Sequence, residues 1–398
     1  MISVEEARAR ILASIVPVGI EIIPLSLASG RVLAEDIRAR LTNPPQDVSA
    51  MDGYAVRAND PDPRRVIGAT AAGHPFTGRI GPGEAVRLFT GSVLPNGADA
   101  VVIQEDVARD DDLITVRELA QPGQHIRRKG RDFNEGDVMV AANTRLTPRH
   151  IGLIAASNHA WVPVRRMPVV AILATGDEII LPGDPLAPGC IVSSNSHALA
   201  ALVRACGGQP LLLPIARDTL AAIAEAADSA RHADLLITSG GASVGEHDLV
   251  ARALASRGMV MDFWKIAMRP GKPLMHGKLG EMPMLGGPGN PVASYLCAVL
   301  FAKPALERML GLHGAPPKRV AARVVSDLPE NDRRADHLRC KLITAGDGQL
   351  EAHLHGMQDS SMLRALADAD AVILRAPFAP ALPAGAAVEV IRLDDLGL

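Results

Sequence analysis

Aromatic side chains are scarce in this chain, with six Phe, two Tyr and two Trp among 398 residues. Stacking platforms for single-stranded nucleic acid are therefore few. Charge of one sign is also lacking. The formal charge of −3 leaves no general electrostatic footprint for DNA or RNA. The four cysteines, Cys190, Cys206, Cys297 and Cys340, stand far apart and form no C-x-x-C, so neither a zinc site nor a disulfide framework is expected. No apolar run approaches the roughly 18 residues of a membrane span. The first residues, Met1 to Arg8, include early acids and no long apolar core, unlike a signal peptide. These absences point to a cytoplasmic globular protein with neither nucleic acid nor membrane as partner.

What is present is organised in blocks, and the length suggests two to four domains. Residues 3–16 place Val4, Ala7, Ile11, Leu12 and Ile15 at helical spacing, with Ser3 as N-cap and Glu6 completing a capping box. The next hundred residues alternate short apolar runs with Gly, Pro, Asn and Asp every 8–12 positions, the punctuation of a small all-β unit. A helical segment follows Pro148. From Val169 to about residue 312, short apolar strands alternate with amphipathic helices, including 196–206, 219–231 capped by Asp218, 247–256 and 292–310. That alternation predicts a doubly wound parallel sheet. After Pro316-Pro317, strand-like runs at Arg319–Val325, Lys341–Thr344, Ala371–Leu374 and Ala387–Leu393 predict a small C-terminal β domain.

Ligands of an open parallel sheet collect outside the carboxyl ends of its strands. Three such loops here are small and polar: Thr175-Gly176-Asp177-Glu178, the stretch from Thr238 to Asp248, and Gly286 to Asn290. Glycine permits close backbone approach, and hydroxyls with free amides at a helix start suit anions, so a phosphorylated ligand is expected. Carboxylates among glycines and hydroxyls favour a hard cation such as Mg²⁺, with Glu178, Glu246 and Asp248 as candidates and His247 a surface residue. Each of these acids would equally serve at a helix N-terminus. A basic turn, Arg269-Pro270-Gly271-Lys272-Pro273, offers fixed cations to an anionic substrate, and Lys278 follows on a return strand. Asp52, between Met51 and Gly53 and followed by Tyr54, reads from spacing alone as either a plain turn or a packed functional loop.

In order along the chain, Ser49-Ala50-Met51-Asp52-Gly53-Tyr54-Ala55, Thr90-Gly91, Thr175 to Glu178, Thr238 to Gly245, Arg269 to Pro273 and Pro288-Gly289-Asn290-Pro291 closely resemble the molybdopterin molybdotransferase family. This is the MoeA-like family to which the E domain of gephyrin belongs. The resemblance runs from the first helix to the last strand. It implies a mixed α/β multidomain chain: a linker domain of 1–40 with 132–166, a β-rich domain of 41–131, an α/β domain of the molybdopterin-binding type at 167–314, and a C-terminal β domain at 315–398. It implies insertion of molybdate into adenylylated molybdopterin, with Mg²⁺-assisted release of AMP, by a homodimer whose cleft lies between subunits. A molybdopterin adenylyltransferase is the implied supplier.

Carried over by position, Asp52, Thr90, Asp132, Glu178, Asp218 and Asp248 are the implied catalytic residues, and Glu178, Asp248 and Asp52 the implied metal ligands. The implied substrate contacts are Ser239, Gly240, Gly241, Ser243, Arg269, Lys272, Pro288, Gly289, Asn290 and Pro291. The chain departs from the family at Arg269, where lysine is common, and at Gly286-Gly287-Pro288, where Gly-Leu-Pro is usual. The C-terminal segments survive only loosely, as Arg333 to Arg339 and Asp359 to Ala365, which puts the role of Ser360 and Ser361 in doubt. Two other functions compete: a molybdopterin adenylyltransferase, which leaves the β-rich half unexplained, and a gephyrin-like scaffold, which would call for linkers or extra domains.

Overall fold

The computed structural model describes residues 1–71, 73–240 and 248–396. Two compact units divide the chain, Met1–Glu21 with Gly30–Ala34 and Val164–Leu398, and Ile22–Ser29 with Glu35–Pro163. Among the described residues no helix is long and apolar enough to cross a membrane.

Helix α1 (Val4–Ser14) opens the first unit. Ser3 Oγ accepts the Glu6 amide at 3.0 Å as predicted, but the Glu6 carboxylate takes Arg10 at 2.8 Å and leaves the capping box half made. The apolar stripe Val4, Ala7, Ile11 and Ile15 is buried in the same core as Phe301 and Leu306 of the α/β domain. This differs from the expected grouping of 1–40 with 132–166. The stripe buries its surface where an apolar partner exists, which sequence adjacency does not reveal.

The second unit is built on a six-stranded sheet in the order β4-β1-β3-β2-β6-β5, from β1 (Gly53–Val56), β2 (Arg64–Ala69), β3 (Glu84–Leu88), β4 (Ala100–Ile103), β5 (Val107–Asp110) and β6 (Leu113–Val116). Tyr54, Val56, Ala100 and Ile114 fill one of its cores. Helix α2 (Pro148–Ala156) follows, with Pro148 at its first turn, where a missing amide costs nothing.

The α/β part of the first unit contains β7 (Val169–Ala174), α3 (Asn195–Ala205), β8 (Gln209–Leu212), α4 (Leu220–Ser229), β9 (Leu235–Ser239), α5 (Leu249–Ser256), β10 (Met259–Phe263), β11 (Met268–Arg269), β12 (Met275–Leu279) and β13 (Met282–Gly287). The sheet order is β8-β7-β9-β13-β12-β10. Its first four strands pair in parallel; β12 alone is reversed, running antiparallel to β13 and to β10, so the parallel sheet expected from the sequence carries one antiparallel strand near that edge. The short turn Gly280-Glu281 lets β12 return directly to β13, and no crossover helix is needed.

Helix α6 (Pro291–Cys297) runs through a π turn at Ala298–Ala302 into α7 (Lys303–Met309). Pro304 has no amide for a regular α turn, so the single helix predicted for 292–310 widens just before it. The last domain is a closed ring of β14 (Arg319–Val324), β15 (Ala335–Thr344), β16 (Leu350–Leu354), β17 (Ala371–Arg375) and β18 (Ala387–Arg392), because β15 also pairs with β17. Closure removes exposed edges. Strand β16 was not anticipated, although Leu350, Ala352 and Leu354 alternate with Glu351 and His353 at the strand period.

Because Ile11 is 1% exposed against this core, Ile11→Ala should destabilise the α/β unit by about 2–5 kcal/mol. Val16→Ala, at 75% exposure, should change it by less than about 0.5 kcal/mol in the same denaturant titration.

Candidate functional site

A cleft of about 560 Å³ opens at the carboxyl ends of β7, β9 and β13. Thr175, Gly176 and Glu178 reach it from the loop after β7, Ser239 and Gly240 from the end of β9, and Gly289, Asn290 and Pro291 from the start of α6. Gly240 has φ +97°, and a Cβ there would lie 2.8 Å from the Thr175 carbonyl oxygen. Only glycine permits that approach of two strand ends. Gly176 is under the same constraint: at φ +147°, its Cβ would meet Glu178 Oε2 at 2.7 Å.

Sequence reasoning missed Ser193, Ser194 and Asn195, which line the cleft at the start of α3. Asn195 Nδ2 donates to Ser239 Oγ at 2.8 Å and to the Gly289 carbonyl at 2.7 Å, tying two strand-end loops together. The Ser-Ser-Asn run opening an amphipathic helix was the available signal. Thr175 is buried, lines the cleft, and its Oγ1 has no partner among the described residues; Thr238 Oγ1 is likewise unpartnered among them. Unpaired buried hydroxyls at strand ends fit a ligand that supplies the missing hydrogen bonds.

Acidic groups divide differently from the prediction. Asp218 is not the cap of α4: Thr219 Oγ1 accepts the Ala222 amide at 3.2 Å, and Asp218 faces the cleft with Glu178. Asp218 is held above the usual carboxylate range by partial burial and by the neighbouring charges of Glu178 and Asp177, against a lowering contribution from the Asp177 backbone amide. Asp248 is the cap instead. Its Oδ1 accepts the Ala251 amide at 2.9 Å, its Oδ2 has no partner among the described residues, and burial raises it. Asp248 does not appear on the described wall of the cleft. Among the described residues no group of three or more His, Cys, Asp or Glu is placed to hold a metal ion. Gly241, Ser243, Glu246 and His247 lie outside the described residues.

Arg269 is not a free cation. Its Nε donates to Asp336 Oδ1 at 2.7 Å, its Nη2 to Asp336 Oδ2, and its Nη1 reaches Asp332 at 3.4 Å. These carboxylates come from the barrel, beside the parallel pairing of β11 with β15. Lys272, half-buried in the same turn, has no ion pair among the described residues and is the cation that remains available. Neither side chain lines the described cleft, and Pro288 is buried behind it.

The barrel contributes what the sequence left in doubt. Ser361 lines the cleft, Ser360 Oγ accepts Asn290 Nδ2 at 2.7 Å, and the Ser360 carbonyl accepts the Val292 amide at 3.0 Å. Behind them Arg339, 1% exposed, donates to the carbonyls of Met357, Asp359 and Met362.

In the second unit Asp52 Oδ1 accepts both the Thr90 amide at 2.7 Å and Thr90 Oγ1 at 2.8 Å. These bonds, aided by Arg87, hold the exposed carboxyl below its usual range. Asp132 Oδ2 accepts Asn43 Nδ2 at 3.2 Å in the same unit.

An α/β sheet with hydroxyl-rich strand-end loops, completed by a barrel loop, defines a protein built around a molybdopterin-binding type of domain. Residues 171–308 match the description "Probable molybdopterin binding domain", residues 2–157 "MoeA N-terminal region (domain I and II)", and residues 321–393 "MoeA C-terminal region (domain IV)". The chain is 38% identical to the molybdopterin molybdenumtransferase of Nostoc sp., over 86% of this chain and 81% of that protein. It is 35% identical to the protein of the same name from Haemophilus influenzae, over 94% of each. A solved MoeA structure from Pyrococcus horikoshii superposes with a TM-score of 0.86 at 31% identity, covering 98% of this chain and 99% of that one. The chain belongs to the MoeA family.

The raised carboxyl of Asp218 works against the folded state wherever it is ionised, so its contribution to stability is lost as pH rises through the raised value. Asp218→Asn should therefore stabilise the ligand-free protein at pH 7, by under about 1 kcal/mol because the group is solvent-facing. The gain should shrink as pH falls through the raised value, as read by thermal unfolding across pH. Thr90→Val should move the Asp52 carboxyl up toward its ordinary value, measured by NMR titration.

Proposed function

We propose that this chain is a molybdopterin molybdotransferase that places molybdenum from molybdate on the dithiolene of adenylylated molybdopterin and releases AMP. The reading rests on the cleft, where unpaired hydroxyls and strand-end amides face two mutually repelling carboxylates, together with the family to which the chain belongs. Thr175, Ser239 and the Gly240 amide would take phosphate oxygens, and Asn195 keeps two of their loops in register. Among the described residues no serine, histidine and acid arrangement calls for a covalent intermediate, so water oxygen would displace AMP as the P–O–P link breaks.

The donor set fits Mg²⁺, a hard cation that uses one or two carboxylates and completes its shell with phosphate oxygens and water. Glu178 and Asp218 would hold it, and their repulsion, visible in the raised Asp218 carboxyl, would be relieved on binding. When bound, Mg²⁺ supplies charge neutralisation to the pyrophosphate oxygens. Lys272 would draw molybdate toward the turn, whereas Arg269 would act through its pairing with Asp336 rather than by direct contact. A homodimer would bring Asp52, Thr90 and Asp132 of one subunit to the cleft of another. A cytoplasmic molybdopterin adenylyltransferase would supply the substrate.

The deciding assay mixes the protein with adenylylated molybdopterin, molybdate and Mg²⁺, and follows AMP release and molybdenum transfer. Glu178→Gln should slow both by about a hundredfold or more. Mixed Asp52→Ala and Glu178→Gln subunits should recover activity that neither variant shows alone. Adenylylation of molybdopterin by ATP, with no AMP release, would replace this reading with the adenylyltransferase one.

A further inference from the structure

A second cavity, of about 310 Å³, lies in the first unit between α1, the Pro316-Pro317 connection and one face of the barrel. It shares none of its described lining residues with the cleft. Its size is at the small end of the roughly 300–1,000 Å³ range of ligand pockets. The body of its wall is apolar, from Val4, Leu300, Leu374 and Ile391.

Two polar groups on that wall lack partners. His337 is 5% exposed, and its Nδ1 has no hydrogen-bond partner among the described residues. Its register partner Leu374 and the neighbouring Glu389 line the same cavity, so the ring sits on the face that bounds it. Burial holds this imidazole down to about 4, partly opposed by the carbonyls of Arg269 and Ala335 and by the charges of Asp336 and Glu5, so the ring is neutral at pH 7. Arg8 is half-buried and makes no hydrogen bond or ion pair among the described residues. Burial weakens the Arg8 guanidinium, Glu5 partly restores it, and Arg319 opposes it.

The other charges on the wall are accounted for. Arg319 pairs with Glu389 at 2.9 Å and stands 4.0 Å from Glu5, Asp336 pairs with Arg269, and Arg375 donates to the Pro329 and Pro380 carbonyls. Arg8 is thus the cation left over, beside an apolar wall and one unsatisfied ring nitrogen.

We propose that this cavity binds a small amphipathic carboxylate, with its carboxylate on Arg8, its apolar body on the Val4, Leu300 and Ile391 wall, and a hydroxyl or equivalent group on His337 Nδ1. Such a ligand removes all three defects of the empty wall at once: a desolvated unpaired cation, an orphaned nitrogen and wetted apolar surface. The site is independent of the reaction assigned to the cleft, and its occupancy is read by binding alone.

The probe is 4-hydroxyphenylacetate, titrated into the full-length protein and followed by NMR and calorimetry. Saturable binding at about millimolar or tighter is expected. Arg8→Gln should weaken it about tenfold while leaving the neutral 4-hydroxyphenylacetamide unaffected. His337→Leu should weaken 4-hydroxyphenylacetate but not phenylacetate, which lacks the hydroxyl. Arg8 is on the outer part of a helix, so its variant keeps the test valid if His337→Leu folds poorly. Absence of saturable binding up to about 10 mM, or an affinity that Arg8→Gln leaves unchanged, would overturn the proposal.

Discussion

A buried guanidinium holds the cleft wall together. Arg339 is enclosed in the barrel and satisfied by the backbone carbonyls of the 357–362 loop, with Gln358 Oε1 accepting the Arg339 amide at 2.9 Å. A buried charge without hydrogen bonds is costly, so the loop cannot shift without exposing that cost. The loop in turn places Ser360 against Asn290 and the first turn of α6. Two domains of different architecture therefore share one wall because a single charge has nowhere else to be satisfied.

A second charge makes the same junction from the other side. Arg269 leaves the α/β domain and is neutralised by Asp336 at the start of β15, beside a two-residue parallel pairing of β11 and β15. This changes what the basic turn can do. A guanidinium committed to a carboxylate positions the turn, while the lysine three residues on keeps its charge available. Arginine at this position suits that division, since its planar fork matches a paired carboxylate.

The carboxylates show how a capping role and a site role trade places. Asp218 reads as the N-cap of its helix and Asp248 as an acid at a helix N-terminus. Thr219 takes the cap of α4 and releases Asp218 to the cleft, whereas no hydroxyl follows Asp248 and its carboxylate is consumed at α5. Asp218 stands two residues before α4 and Asp248 one residue before α5, and the hydroxyl between Asp218 and its helix takes the cap.

The strand and helix alternation, the glycine loops and the barrel strands were legible because period and turn chemistry are local properties. Val169–Ala174 is apolar throughout and Leu235–Ser239 is buried throughout, apolar until its last two hydroxyl residues, as strands buried on both faces are, and Gly176 and Gly240 mark close backbone approaches. The sequence by itself thus determined the domain types, the strand-end site and the family. Tertiary structure alone decided that α1 packs in the α/β core, that Asn195 and Ser361 join the cleft, and that Arg269 is spent on Asp336. Each of these joins residues between 44 and about 300 positions apart, and apolar burial and charge neutralisation act through space, where sequence spacing carries no record of who meets whom.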